Sequence, residues 1–341
     1  MRVVIISTTI MTLPPAGYSG LEMLAHQQAI GLAKLGHQVL LVAPIGSVIT
    51  PGVELHGTTL GEHESQAFTG YGPRLKDWDV VIDNSWEKWA YMPKIEGTLK
   101  TPVMGILHAP ACTMYRQSPP MPRPCFVCIS RDQAEEAKEI WKIDTRIAYN
   151  GVDMNFYKPI PEIQRTDRYL FLARFSRIKG AHVALNVAEK TGVSLDLVGD
   201  DKITGEPDYA KECVARANNI PGAKYHGGAP RKKCVEWFNQ GKALLHMNQI
   251  FREPFGLAPV ESMMSGCPVI AFDNGAMRET IEHGKTGFLV NTPEEVIELI
   301  KTDAVTSIKS EYCREWASQF SIENMVKRYE ALCEEAIEGG W

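Results

Sequence analysis

Short apolar runs alternate with stretches of helical periodicity along the whole chain. In the first half the apolar runs fall at 3–7, 38–43, 80–83, 103–107 and 126–130, with helical patterns at 21–35 and 131–142. The runs are short, rich in Val and Ile, and not alternating, as strands buried on both faces of a parallel sheet are. A second set follows, with strands predicted at 169–173, 195–198, 224–226, 243–246 and 268–272 and helices at 180–190, 207–218, 231–240 and 257–264. Strands alternating with crossover helices predict an α/β fold of two Rossmann-like, doubly wound domains. Tyr149 to Asp153 reads as a turn, and 156–168, rich in Pro and polar residues, as a linker. The domains are therefore placed at 1–155 and 156–320. Residues 321–337 carry Ile322, Met325, Val326, Tyr329, Leu332 and Cys333 at helical spacing, which predicts a terminal helix with one apolar stripe within a closing segment 321–341. Residues 117–124, with four prolines, read as a stiff exposed loop.

Composition adds exclusions. A chain of 341 residues exceeds the size at which one core keeps growing, which agrees with two domains. With 44% hydrophobic and 23% charged residues it is an ordinary globular composition, and a net charge of −5 offers no basic field for nucleic acid. The opening run MRVVIISTTIM lacks a cleavage site and reads as a buried strand, and no stretch reaches about 18 apolar residues. A cytoplasmic location follows as the expectation, with peripheral contact to the inner face of a membrane left open. Among eight cysteines only Cys125 and Cys128 form a Cys-x-x-Cys pair; without further ligands nearby they read as thiols of a buried strand rather than a zinc site.

The chemistry concentrates between Glu253 and Asn291. The turn Pro254-Phe255-Gly256 leads into a helix beginning at Leu257, so free backbone N–H groups and the positive end of the helix dipole are available to an anion. Glu253 precedes that helix and Glu261 lies within it. One carboxylate can accept hydrogen bonds from diol hydroxyls and the other can reach a sugar, so the block reads as a nucleotide-sugar site. Upstream, Arg174 and Lys179 follow the first strand of the second half and can grip one pyrophosphate, Arg as a planar fork and Lys as a point charge. In the first half Gly20 opens a helix after strand one and can present its N–H to a phosphate; the sequence there is not G-x-G-x-x-G, which argues against a dinucleotide dehydrogenase. His108 ends one strand, and Asp83 and Asn84 end another where an acceptor pocket would lie. Arg231-Lys232-Lys233 has two readings, a border to the nucleotide base and, the one favoured, a solvated helix start, and Asp200-Asp201 reads as a turn rather than a metal pair.

The run ARFSRIKG, the Tyr149-to-Asp153 turn, EPFGLAPVE with seven residues between its glutamates, and Gly275-x-x-x-Glu279 followed by Gly284-x-x-Gly287 together resemble the retaining glycosyltransferases of family 4. The resemblance implies the GT-B fold, with two Rossmann-like domains facing a cleft and the terminal helix crossing back to the first domain. It implies that Arg174 and Lys179 hold the donor diphosphate, Glu261 the ribose hydroxyls and Glu253 the transferred sugar. It also implies that the Phe255-Gly256-Leu257 backbone lies close to sugar and phosphate and that His108 contacts the donor sugar. Where the family usually carries a glycine pair, this chain has Ser19-Gly20.

The expected reaction is transfer of a hexosyl unit, with retention, from a nucleoside diphosphate sugar to a hydroxyl acceptor. Uridine is favoured as the base and guanosine is the alternative; the acceptor is a glycan, a lipid-linked saccharide or a small natural product. Cations do the charge work, so no cofactor and no essential metal are expected. Two rival readings keep the same phosphate contacts: a GT-B-type nucleotide-sugar epimerase and a non-catalytic sugar-nucleotide binding protein. The sequence leaves the oligomeric state open.

Overall fold

The structure is a computed structural model that describes all residues except 18, 112–124, 203–205 and 340–341. The proline loop predicted at 117–124 lies outside the described residues. The chain forms two compact units, one made of Met1–Gly151 with Ile322–Trp341 and the other of Val152–Ser321.

The first unit is built on a seven-stranded sheet in the order β3-β2-β1-β4-β5-β6-β7. Its strands are β1 (Arg2–Ile6), β2 (Gln38–Pro44), β3 (Val53–Thr58), β4 (Val80–Asp83), β5 (Val103–Leu107), β6 (Phe126–Cys128) and β7 (Arg146–Ile147), and every ladder in it is parallel. Central strands β4 and β5 are buried along their whole length, because helices cover both faces. β3, at the sheet edge, mixes buried and exposed positions and was not predicted. The strand order turns around between β1 and β4, which makes the loops after these two strands the place where such sheets take ligands.

The helix Ile322–Ile337 belongs to this unit and packs on the helix Gly20–Lys34. The approach is close at Gly31, where a Cβ would stand 2.3 Å from Val326 Cγ2. His37 Nε2 with Glu330 at 2.7 Å and Arg146 Nε with Glu335 at 2.7 Å tie the helix down along its polar side.

The second unit has a six-stranded sheet in the order β10-β9-β8-β11-β12-β13. Its strands are β8 (Tyr169–Leu172), β9 (Leu195–Val198), β10 (Ala223–Tyr225), β11 (Leu244–His246), β12 (Val269–Phe272) and β13 (Gly287–Val290). These ladders are also parallel, and the order turns around between β8 and β11. Residues 156–168, read as a linker, are packed against this unit instead: Tyr157 is fully buried beside Phe238, and Arg165 donates to the carbonyls of Gly241 and Gly266. The helices Pro293–Lys301 and Ser310–Ala317 complete the unit; the first is capped by Thr292, whose hydroxyl accepts from Glu295 N. Among the described residues no helix is long and apolar enough to cross a membrane.

Candidate functional site

The turn-around point of the second sheet gathers the residues singled out in the second half. The loop after β8 carries Arg174 and a short turn Arg177–Lys179; the loop after β11 carries Asn248, Phe251 and Glu253. Two glycines let these loops close on each other. Gly180 has φ +77° and an added Cβ would lie 1.9 Å from Met247 O. Gly275 has φ +63°, and its Cβ would lie 2.3 Å from Glu253 O and 2.6 Å from Glu253 N. A side chain at either position would push the Lys179 turn or Glu253 out of place.

In the resulting geometry Lys179 Nζ donates to Glu253 Oε2 at 2.6 Å. Asn248 Nδ2 donates to the same oxygen at 3.2 Å, and His246 Nε2 stands 3.5 Å from it. Lys179 Nζ also lies 5.5 Å from the centre of the Phe251 ring. Burial opposes ionisation of Glu253 most strongly, yet Lys179 and His246 together outweigh it and hold the carboxyl well below the usual carboxylate range. Glu253 is thus a fixed carboxylate, with three nitrogens on one oxygen. Arg174 is exposed and has no ion pair among the described residues, which leaves its guanidinium available to an anion.

Gly256, with φ +83°, precedes the helix Leu257–Met264, and no side chain caps that helix. Its first-turn N–H groups at Leu257 and Ala258 have no partner within the helix. Phe255 itself is core, packed at 5.5 Å from Phe320. Glu261, on the helix, is 4% exposed and its Oε2 has no hydrogen-bond partner. Burial pushes its carboxyl up, with Arg231 and a hydrogen bond from Tyr157 opposing. Arg231 is not a solvated helix start: its guanidinium lies 5.2 Å from the Phe156 ring and 5.5 Å from the Tyr157 ring, and its Nε donates to Tyr157 Oη at 3.3 Å.

In the first unit Gly20 is the first residue of the helix Gly20–Lys34. Glu22, buried, ties the preceding loop by accepting from Thr8 Oγ1 at 2.6 Å and from the hydroxyl of Ser19. The Ser19 side chain that replaces a glycine is thereby used as an anchor. His108 follows β5, and its Nε2 bonds Asn84 Oδ1 at 3.0 Å. Asn84 Nδ2 donates onward to Gln28 Oε1 at 2.9 Å. Burial, reinforced by Lys88, pushes the His108 imidazole down to about 3. Asp83 and Asn84, expected to line an acceptor pocket, are both fully buried; Asp83 Oδ1 accepts from Ser85 N and Oγ at 2.9 and 2.6 Å, so neither side chain reaches the surface. Cys128, far up at about 12 through burial, is a strand thiol bonded to Thr145 Oγ1.

With this geometry in place, comparison with known proteins bears on the second unit. Residues 154–318 match the family described as "Glycosyl transferases group 1". That segment is a group 1 glycosyl transferase domain. A Klebsiella pneumoniae protein described only by its place in the cps region is 29% identical over 56% of this chain and 55% of its own. An uncharacterized glycosyltransferase of Methanocaldococcus jannaschii is 25% identical over 62% and 59%, and a probable sucrose-phosphate synthase of Thermosipho melanesiensis 28% over 52% and 42%. The chain thus spans about half the length of these curated relatives. Among solved structures, the sucrose-phosphate synthase of Thermosynechococcus elongatus superposes with TM-score 0.81 at 16% identity, covering 99% of this chain and 100% of that one. The Anabaena HepE protein in complex with UDP-glucose gives 0.78 at 19%, covering 98% and 100%. At these identities the likeness establishes the fold, which is GT-B, the fold class the sequence predicted.

Residue-level reading of the sequence missed His246, Asn248, Gln28, Lys88 and Tyr157. His246 ends β11 as His108 follows β5, and the same strand-end logic would have found it. Gln28 and Tyr157 carry no local signal; only the fold brings them to their partners.

Proposed function

We propose that this chain is a retaining glycosyltransferase that moves a hexosyl unit from a nucleoside diphosphate sugar, UDP-sugar in preference to GDP-sugar, to a hydroxyl acceptor. The observation that carries the reading is the Lys179–Glu253 pair, because it joins the cation after β8 to the first of the two spaced glutamates at the turn-around point of the sheet. UDP-glucose and UDP in the solved Anabaena neighbour support a uridine donor.

In this reading Arg174 and Lys179 hold the diphosphate, and the open N-terminus of the helix Leu257–Met264 adds backbone donors to it. The free Glu261 Oε2 accepts from the ribose hydroxyls. Glu253, fixed as a carboxylate, accepts from hydroxyls of the transferred sugar rather than attacking it. The departing diphosphate builds negative charge, which in this reading these cations and N–H groups offset. The leaving phosphate oxygen takes the proton of the acceptor hydroxyl on the same face, which preserves the anomeric configuration. The family resemblance assigns Gly20 N–H to the phosphate and His108 to the donor sugar. Side-chain charge suffices for this chemistry, and the reading assigns no metal to it.

A thermal-shift panel of UDP-, GDP- and ADP-sugars tests the donor, since a bound ligand raises the midpoint by its concentration over its affinity. NMR of the best donor with a panel of glycan, lipid-linked and small hydroxyl acceptors then separates transfer from isomerisation of the donor alone. Donor isomerisation without transfer would replace the proposal by an epimerase, and binding with neither reaction would replace it by a binding protein.

A further inference from the structure

The side chains behind His108 form a chain of amides rather than a solvent boundary. His108 Nε2, Asn84 Oδ1, Asn84 Nδ2 and Gln28 Oε1 follow one another at 3.0 and 2.9 Å. Asn84 and Gln28 are buried, at 0% and 1% exposure, and Asn84 N is itself held by Ile6 O at 2.8 Å. An amide oxygen can only accept, so the imidazole nitrogen facing Asn84 Oδ1 carries the proton. The other nitrogen, Nδ1, is then a bare lone pair, and it has no hydrogen-bond partner among the described residues. The neighbouring charges keep the ring neutral: Lys88 is almost fully buried nearby, while Asp83 is engaged by Ser85, and Glu64 accepts from Trp86 N and Glu87 N.

We propose that Gln28 and Asn84 are positioning residues that fix His108 as a neutral acceptor through Nδ1, so that the sugar taken here is a neutral hexose presenting a hydroxyl at that point and hexuronates are refused. The inference rests on the donor-sugar role given to His108 above. A hydroxyl donates to Nδ1; a carboxylate brings a second lone pair and a negative charge to a site with no proton to give, and it loses its hydration on entry.

Two measurements test this. Protein labelled with ¹⁵N in its nine histidines, with His108→Gln to assign the signal, reports the tautomer at pH 7. An Nε2–H ring is expected; an Nδ1–H ring or an imidazolium overturns the proposal. The second measurement compares UDP-glucose with UDP-glucuronate. The wild type is expected to favour glucose on the order of a hundredfold in kcat/KM, and equal use of both donors overturns the proposal. Asn84→Asp keeps an acceptor on Nε2–H but adds a negative charge beside the ring, and Gln28 can turn its amide to donate to it. The ring should then charge, and the preference should move toward glucuronate by about tenfold or more, an outcome that a merely structural Asn84 would not produce. An Asn84→Asp protein with a charged ring and unchanged preference also overturns the inference. If neither UDP-sugar is bound or turned over, the proposed function fails, while the tautomer spectrum, which needs no donor, still decides the amide chain. The same spectrum decides it if Asn84→Asp does not fold.

Discussion

Lys179 Nζ lies 2.6 Å from Glu253 Oε2 although the two residues are 74 positions apart, and both side chains are largely withdrawn from water. Removing one member of such a pair leaves the other charge buried without its partner, which costs about 3 kcal/mol. Lys179→Met is therefore expected to lower the urea midpoint, and adding Glu253→Gln to it should restore most of the loss. Because the Glu253 carboxyl sits below its ordinary value of 4.5, the contribution is present above that pH and is lost as the pH falls further, so the wild-type advantage should shrink in acid. Turnover should fall about a hundredfold in Lys179→Met and stay low in the double variant. A double variant that regains turnover along with stability would show that Lys179 serves only the fold.

Gly275 supports the same carboxylate from behind. An alanine there places its Cβ 2.3 Å from Glu253 O in a left-handed backbone conformation, so the Glu253 loop has to shift. Gly275→Ala is expected to cost more than about 1 kcal/mol in urea unfolding and to abolish most of the thermal shift produced by the preferred nucleotide sugar. A folded Gly275→Ala protein with full donor response would separate the glycine from the site.

His108 gives a pH prediction with a defined sign. Its folded value is pushed down to about 3 from an ordinary 6.5. The stabilisation tied to the neutral ring is complete above 6.5 and is lost progressively as the pH falls toward 3, because the unfolded chain takes up the proton first. His26, His56 and His182 are also lowered by burial and share the wild-type slope, so the difference between wild type and His108→Gln is the readout. Between pH 7 and pH 5 the wild type should lose about 1 to 2 kcal/mol more than the variant. Parallel losses would mean that the ring titrates near its ordinary value in the folded protein.

What was legible in the sequence follows from how each element is buried. Strands at 80–83, 103–107 and 195–198 agree with the structure to the residue, because strands covered on both faces are written as short apolar runs; Asp83 ends one, and Asp196 interrupts another where Arg168 pairs with it. β3 sits at an edge and includes Glu54 and His56, so its pattern is diluted. The segment 156–168 has the composition of a linker, and nothing local announces that Tyr157 is core. At the site, the spaced glutamates, Arg174 and Lys179 were legible because strand ends and glycines mark ligand loops. The partners that set their charge were not, since the contact of Asn84 with Gln28 spans 56 residues and exists only once the sheet is built.

Glu261 separates stability from function most cleanly. Its carboxyl is buried, its Oε2 has no partner, and burial pushes its ionisation up, with Arg231 and a hydrogen bond from Tyr157 in opposition. The free protein therefore carries the cost of a buried acid with an unpartnered oxygen. Glu261→Gln keeps the shape and removes the charge, so it should raise the urea midpoint of the ligand-free protein. The same change weakens the acceptor offered to a ribose diol, and an amide NH₂ turned toward the hydroxyls can serve only one of them. The thermal shift with UDP alone should accordingly shrink in Glu261→Gln while the ligand-free protein becomes more stable, the exchange expected where a strained group is kept for binding. A variant that is less stable, or one that binds UDP as the wild type does, would place Glu261 in the packing of its helix and remove it from the donor site.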